Sequence, residues 1–239
     1  MGRLENGKLI KYPHWQGQRW DTSDYDSVTG DKRILDNYNI PIPETRVVRE
    51  PVIDNGHSII RAPYAIIAEE IRGRVFREVD LLDPKIREQV VKMTAASLEI
   101  RRQTRAGIDF LGIASFGHFL NYLTRENRPL QLGAYNILVD GGDTGDSESI
   151  KLIDTSLLDP KRAPAGTGWL IDRLIDLQNG LMAYIIDDKE LKKSYHNCKP
   201  AGTVHSAVKK LHRISRRIEE HRQSTPRQLR AQSTSTQSA

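Results

Sequence analysis

Apolar and polar positions change their rhythm partway along the chain. Before about residue 72 the apolar residues come in short runs bounded by Pro, Gly, Asn and Asp, a strand pattern. Gly7-Lys8-Leu9-Ile10-Lys11-Tyr12-Pro13 reads as a strand ended by Pro13. Trp15 to Gly30 is polar and Gly/Asp-rich and reads mostly as loop. Asp31 to Tyr38 predicts a brief helix, capped by Asp31, with Ile34, Leu35 and Tyr38 as its apolar face. Pro41 and Pro43 then forbid helix. Thr45 to Val48, Ser58 to Ile60 and Tyr64 to Glu70 predict three strands, with a hairpin-type turn at Asp54-Asn55-Gly56. The last is almost continuously apolar, as expected of a central strand, and Gly73 is expected to supply a tight turn after it.

From Asp80 the period becomes helical. Asp83-Pro84 is a helix start, with Asp83 as cap and Pro84 at the first position. Ile86, Val90, Met93, Ala96 and Ile100 follow at intervals of three or four. Gly107-Ile108-Asp109 breaks the run, and Phe110 to Leu123 predicts a second helix. Trp169 to Ile186 predicts a third, weakened by Gly180, and Asp188 to His196 a short polar one. Val204 to Arg222 is amphipathic: Val204, Val208, Leu211, Ile214 and Ile218 oppose Lys209, Lys210, Arg213, Arg216 and Arg217. Ser224 to Ala239 lacks periodicity and reads as a disordered tail.

Between the second and third helices lies a different unit. Tyr135 to Asp140 and Ile150 to Thr155 are short apolar strands flanking a Gly/Asp-rich turn. An antiparallel hairpin sets the start of one strand beside the end of the other, so Asn136 and Asp154 should meet at one edge. An amide oxygen and a carboxylate are hard ligands that suit Mg²⁺.

Composition narrows the partners. The net charge is +5, but residues 200–239 alone carry +6 and the rest −1, so a fold-wide nucleic-acid surface is not indicated. The basic helix leaves an anionic partner open, whether nucleic acid or membrane surface. A single cysteine, Cys198, excludes an internal disulfide or multi-Cys zinc site. The histidines are scattered and suggest no metal-ligand set. No run reaches membrane-spanning length, and Met1 to Gly7 lacks a signal-peptide core; the expectation is a cytoplasmic protein.

Strands, then a Glu-bearing connection, then helices, then an Asn…Asp hairpin resemble the protein-kinase-like fold, in the style of its aminoglycoside-phosphotransferase branch. Tyr64 to Gly73 is similar to the last small-lobe strand and the hinge, where the family binds adenine through backbone groups. Asn136-Ile137-Leu138-Val139 resembles the end of the catalytic loop. Lys151-Leu152-Ile153-Asp154 resembles the strand ending in the metal aspartate, and Leu9-Ile10-Lys11 the strand bearing the phosphate lysine. The resemblance implies an α+β, two-lobed fold: a reduced β-rich small lobe over 1–72, a helical lobe over 73–200, a basic helix over 201–223 and a tail over 224–239. It implies ATP and Mg²⁺ as cofactors, with Lys11, Glu69, Glu70 and Ile71 toward the nucleotide and Asn136 and Asp154 toward the metal. Phosphoryl transfer needs charge neutralisation and in-line positioning more than covalent work.

Two departures stand against full activity. The family has an Asp five positions before the metal Asn; that position here is Gln131, which cannot act as a base. The glycine-rich loop before the lysine strand is also missing. The expectation is therefore a degenerate member, a pseudokinase or nucleotide-sensing domain binding Mg·ATP through Asn136 and Asp154. An active but atypical phosphotransferase or nucleotidyltransferase, acting on a protein or small-molecule acceptor, is the second reading. The third is a basic adaptor working through the C-terminal helix.

Overall fold

The structure, a computed structural model, describes residues 2–3, 8–12, 25–54, 59–71, 73–112, 134–140, 149–213 and 217. It is α+β with small antiparallel sheets. The N-terminal sheet holds β1 (Gly2–Arg3), β2 (Lys8–Lys11), β3 (Thr45–Arg49) and β6 (Tyr64–Glu69) in the order β1-β2-β6-β3. β6 is flanked on both sides, which is why it is almost wholly apolar. β4 (Val52–Asp54) and β5 (Ile59–Arg61) make a separate ribbon; the pattern of apolar runs missed β4 because only Val52 and Ile53 mark it. Asn55 and Gly56 of the expected turn lie outside the described residues.

Helix α1 (Tyr25–Asn37) begins six residues before the expected start. Asp31 does not cap it. It sits mid-helix, buried, on the same face as Val28 and Leu35. An acid in an apolar stripe looks like a terminus in sequence; the partners that make it tolerable inside come from residues far along the chain. Val28 packs on Tyr64 and Ile66 of the first sheet, whereas Leu35 joins the main core. Each such fully buried side chain contributes about 1.5–3 kcal/mol, so α1 is fastened to both clusters.

β7 (Gly73–Phe76) is the first element after the sheet and pairs with β9 (Ala134–Asp140), which pairs in turn with β10 (Ser149–Leu152). Gly73 makes no turn. It opens β7, and a Cβ there would lie 2.5 Å from the Val139 carbonyl oxygen, so close strand approach is what requires glycine. A 3-10 turn at Glu78–Leu82 leads to α2 (Pro84–Thr104). Asp83 caps α2, its Oδ1 accepting from the Lys85 and Ile86 amides at 2.7 and 3.2 Å. β8 (Gly107–Ile108) follows and pairs with β11 (Leu157–Leu158). Phe110, Leu111 and Gly112 are not helical, and the remainder of the expected second helix lies outside the described residues.

The main core gathers α2, the β9–β10 hairpin, α3 (Gly168–Ile186) and α4 (Lys189–Asn197). A final helix, α5 (202–213), lays Val204 and Val208 on this core, as the amphipathic stripe predicts. Among the described residues no helix is long and apolar enough to cross a membrane. The tail from Ser224 lies outside the described residues.

Gly180 is not a helix defect. A Cβ there would lie 2.7 Å from the Tyr195 ring and 2.8 Å from Val208, both buried, so the glycine lets α4 and α5 close on α3. Alanine would improve helix propensity by ~1 kcal/mol but overpack this contact by about 1–3 kcal/mol. Gly180→Ala is therefore expected to lower stability in urea unfolding; an increase would show that α5 is not seated there. A second expectation concerns pH. Burial, then Lys209 and His196, hold His205 below its ordinary pKa, and the His196 ring lies 4.7 Å away. The fold thus favours neutral His205, a contribution present above about pH 6.5 and lost as pH falls. Thermal unfolding should show a drop in Tm from about pH 7.5 to about 5.5, smaller in His205→Phe.

Candidate functional site

The predicted hairpin forms with the register Ser149↔Asp140, Ile150↔Val139, Lys151↔Leu138 and Leu152↔Ile137. Ile137, Val139, Ile150 and Leu152 face the core, so strand alternation leaves Asn136 and Ile153 on the other face. One further bond, from the Ile153 amide to the Asn136 carbonyl at 2.8 Å, carries the pairing to the residue before Asp154. The backbone of Asn136 is thus paired with Ile153, the residue before Asp154.

The side chain of Asn136 reaches a third segment. Its Nδ2 donates to the Asp109 carbonyl at 2.7 Å, and its backbone amide donates to the Phe110 carbonyl at 3.1 Å. Asp109, buried, lies 27 residues upstream in sequence yet beside the hairpin in space. β8, immediately before it, is held by β11, immediately after Asp154-Thr155-Ser156. Gln178 of α3, itself buried, accepts from the Leu111 amide at 3.2 Å and fixes the chain on the other side. Asp109 is the buried acid beside Asn136 that sequence spacing missed. The one signal available was an acid following a two-residue strand at the end of a long helix. Gln131, the position five before Asn136, lies outside the described residues.

Lys11 also converges here. Its Nζ donates to the Ile153 carbonyl at 3.0 Å, so the ammonium of β2 sits against the residue preceding Asp154. The Leu152 amide donates to the Pro41 carbonyl at 2.7 Å, tying the same strand to the chain after α1. Glu69 ends β6. Its amide is taken by the Glu44 carbonyl at 2.9 Å, and its carboxylate meets Lys151 at 3.2 Å. Lys151 holds that carboxyl below its usual range. Glu70 and Ile71 come after the strand, with irregular backbone. Of the three expected hinge residues, Glu69 therefore directs its backbone donor into the sheet.

The oxygen inventory is specific. Asp154 Oδ1 accepts from the Ser156 amide at 3.0 Å, a local turn that fixes the carboxylate. Asn136 commits its NH₂ to Asp109, which orients its Oδ1 away from that carbonyl. The oxygens that remain are of the hard type Mg²⁺ takes, and the cation keeps most of its shell for water and phosphate. Among the described residues no group of three or more His, Cys, Asp or Glu side chains could hold a metal, so this pair offers no all-protein cage. The scaffold behind it is anchored by Arg101 of α2, whose guanidinium meets Asp172 at 2.8 Å and Asp176 at 2.9 Å on α3.

Asn136→Asp tests the central bond. The exchange replaces an N–H donor with an oxygen facing the Asp109 carbonyl at 2.7 Å. A loss of about 1–3 kcal/mol in chemical unfolding is expected, and retention of wild-type stability would place the carboxamide elsewhere.

No protein-family model, curated protein or solved structure matches this chain.

Proposed function

We propose that this chain is an Mg²⁺- and ATP-dependent phosphotransferase with a two-lobed, protein-kinase-like architecture. The observation that carries the reading is the 2.7 Å bond from Asn136 Nδ2 to the Asp109 carbonyl. It sets the Asp109 backbone against Asn136, and an aspartate at this place would supply the acid that the Gln131 position lacks. The order β2, α1, β3, β6 followed by the Glu70-Ile71 segment supports the small lobe and hinge. The position of Lys11 against Ile153 supports a phosphate-facing lysine near Asp154.

Each group then has a role. Asp154 and the Asn136 carboxamide oxygen would hold Mg²⁺, which supplies neutralisation of phosphate charge when bound. Lys11 would exchange its carbonyl contact for a phosphate oxygen. The backbone of Glu70 and Ile71 would meet the adenine. Asp109 would orient an acceptor hydroxyl and take its proton late in transfer. The acceptor is a protein or a small hydroxylated molecule. A cytoplasmic location, where Mg·ATP is available, goes with this reading. Nucleotide binding without transfer would match the degenerate reading, in which the fold senses nucleotide but does not turn it over.

Thermal-shift titration with ATP, with and without Mg²⁺, tests binding. At a hundred times Kd the ligand stabilises by ~2.7 kcal/mol, and Asp154→Ala should abolish the Mg²⁺-dependent part. Transfer of the terminal phosphate to water or added acceptors tests catalysis; Asp109→Asn should cost about two to four decades of rate. Activity indifferent to Asp109, or no Mg²⁺-dependent shift at ATP far above micromolar, would sink the proposal.

A further inference from the structure

Helix α1 carries an acid where only apolar residues are expected. Val28, Asp31 and Leu35 lie three and four apart on one face, with relative exposures of 0%, 4% and 0%. Asp31 therefore sits between the residue packed on the first sheet and the residue packed in the main core. Both of its partners belong to the segment that follows Asp154. Oδ2 accepts from the Leu157 amide at 2.9 Å, and Oδ1 accepts from Arg162 Nη2 at 2.8 Å. Arg162 also donates to the Leu157 carbonyl at 3.2 Å and lies 3.4 Å from Asp159. Leu157 is thus gripped at both its amide and its carbonyl.

Leu157 is the hub of the site in one further respect. It pairs with Ile108, the residue before Asp109, and lies three residues beyond Asp154. A carboxylate on α1 therefore grips one residue of the short ladder, Leu157↔Ile108 and Leu158↔Gly107, that joins the two aspartate-bearing segments. Lys11, which a helix acid could have paired with, is instead engaged by the Ile153 carbonyl. If anchoring α1 were the whole purpose, an apolar residue at this position would serve as well or better, because burying an ion pair brings little net stability.

We propose that Asp31 and Arg162 are a positioning pair that locks the Asp154 and Asp109 segments in register with each other and with the lysine-bearing sheet. The consequence for nucleotide rests on the phosphotransferase reading; the locking itself does not.

The test uses the full chain and the variants Asp31→Asn and Arg162→Lys, with two readouts. Amide hydrogen exchange followed by mass spectrometry should show exchange in 106–111 and 153–162 faster by about tenfold or more in Asp31→Asn, with α3 and α4 unchanged. Mg·ATP binding should weaken roughly tenfold while metal-free ATP changes by less than about twofold, because only the metal-bearing segment has loosened. Arg162→Lys, which keeps the charge, should fall between wild type and Asp31→Asn in both readouts. If Asp31→Asn fails to fold, the double variant Asp31→Asn with Arg162→Met removes both buried partners together and replaces it. Unchanged exchange in both segments overturns the proposal, as does equal weakening of Mg·ATP and free ATP. A wild type that ignores Mg·ATP would defeat the phosphotransferase reading, and the exchange result would still decide the pair.

Discussion

A single carboxamide, Asn136, holds together the parts on which the rest of the site depends. Its Nδ2 donates to the Asp109 carbonyl at 2.7 Å, while the backbone carbonyl of the same residue accepts from the Ile153 amide. The first bond closes a long stretch of chain, and the second keeps β10 in register up to Asp154. A buried carbonyl needs a donor, and the asparagine side chain supplies one to Asp109 while its backbone stays in the hairpin ladder. Lys11, Asp109, Asn136 and Asp154 come from four separate stretches, and backbone carbonyls and amides mediate most of their meeting.

Close approach of elements explains the glycines and the misplaced acid. Gly73 and Gly180 look in sequence like a turn and a helix defect. In the fold they are the positions where another backbone or ring presses in, under 3 Å from any added Cβ. Asp31 resembles a helix cap because Asp favours that position. It is instead a buried acid whose partners, Leu157 and Arg162, lie more than a hundred residues downstream. In all three cases the deciding neighbour is remote in sequence.

The same separation bears on the choice between a degenerate and an active enzyme. Spacing within one loop points to Gln131 and hence to a dead site. In space the Asp109 backbone lies against Asn136, beside the short ladder between β8 and β11. A neutral amide cannot deprotonate an acceptor hydroxyl, whereas a carboxylate can, so the proposed activity turns on Asp109.

The sequence by itself determined what local physics controls. The period-2 and period-3.6 patterns placed β2, β6, α2, α3, α4 and the β9–β10 hairpin, and Asp83-Pro84 marked the start of α2 to the residue. Hairpin register followed from alternation, because a one-residue slip would turn Ile137, Val139, Ile150 and Leu152 to the outside. The backbone pairing of Asn136 with Ile153, next to Asp154, was legible for that reason. Tertiary structure alone decided the rest. The start of α1, the burial of Asp31, the strand at β4, the contact of Lys11 with Ile153 and the arrival of Asp109 all depend on partners far away in the chain. A residue's type states which hydrogen bonds and contacts it can make, and only the packing of distant segments states which of them it does make.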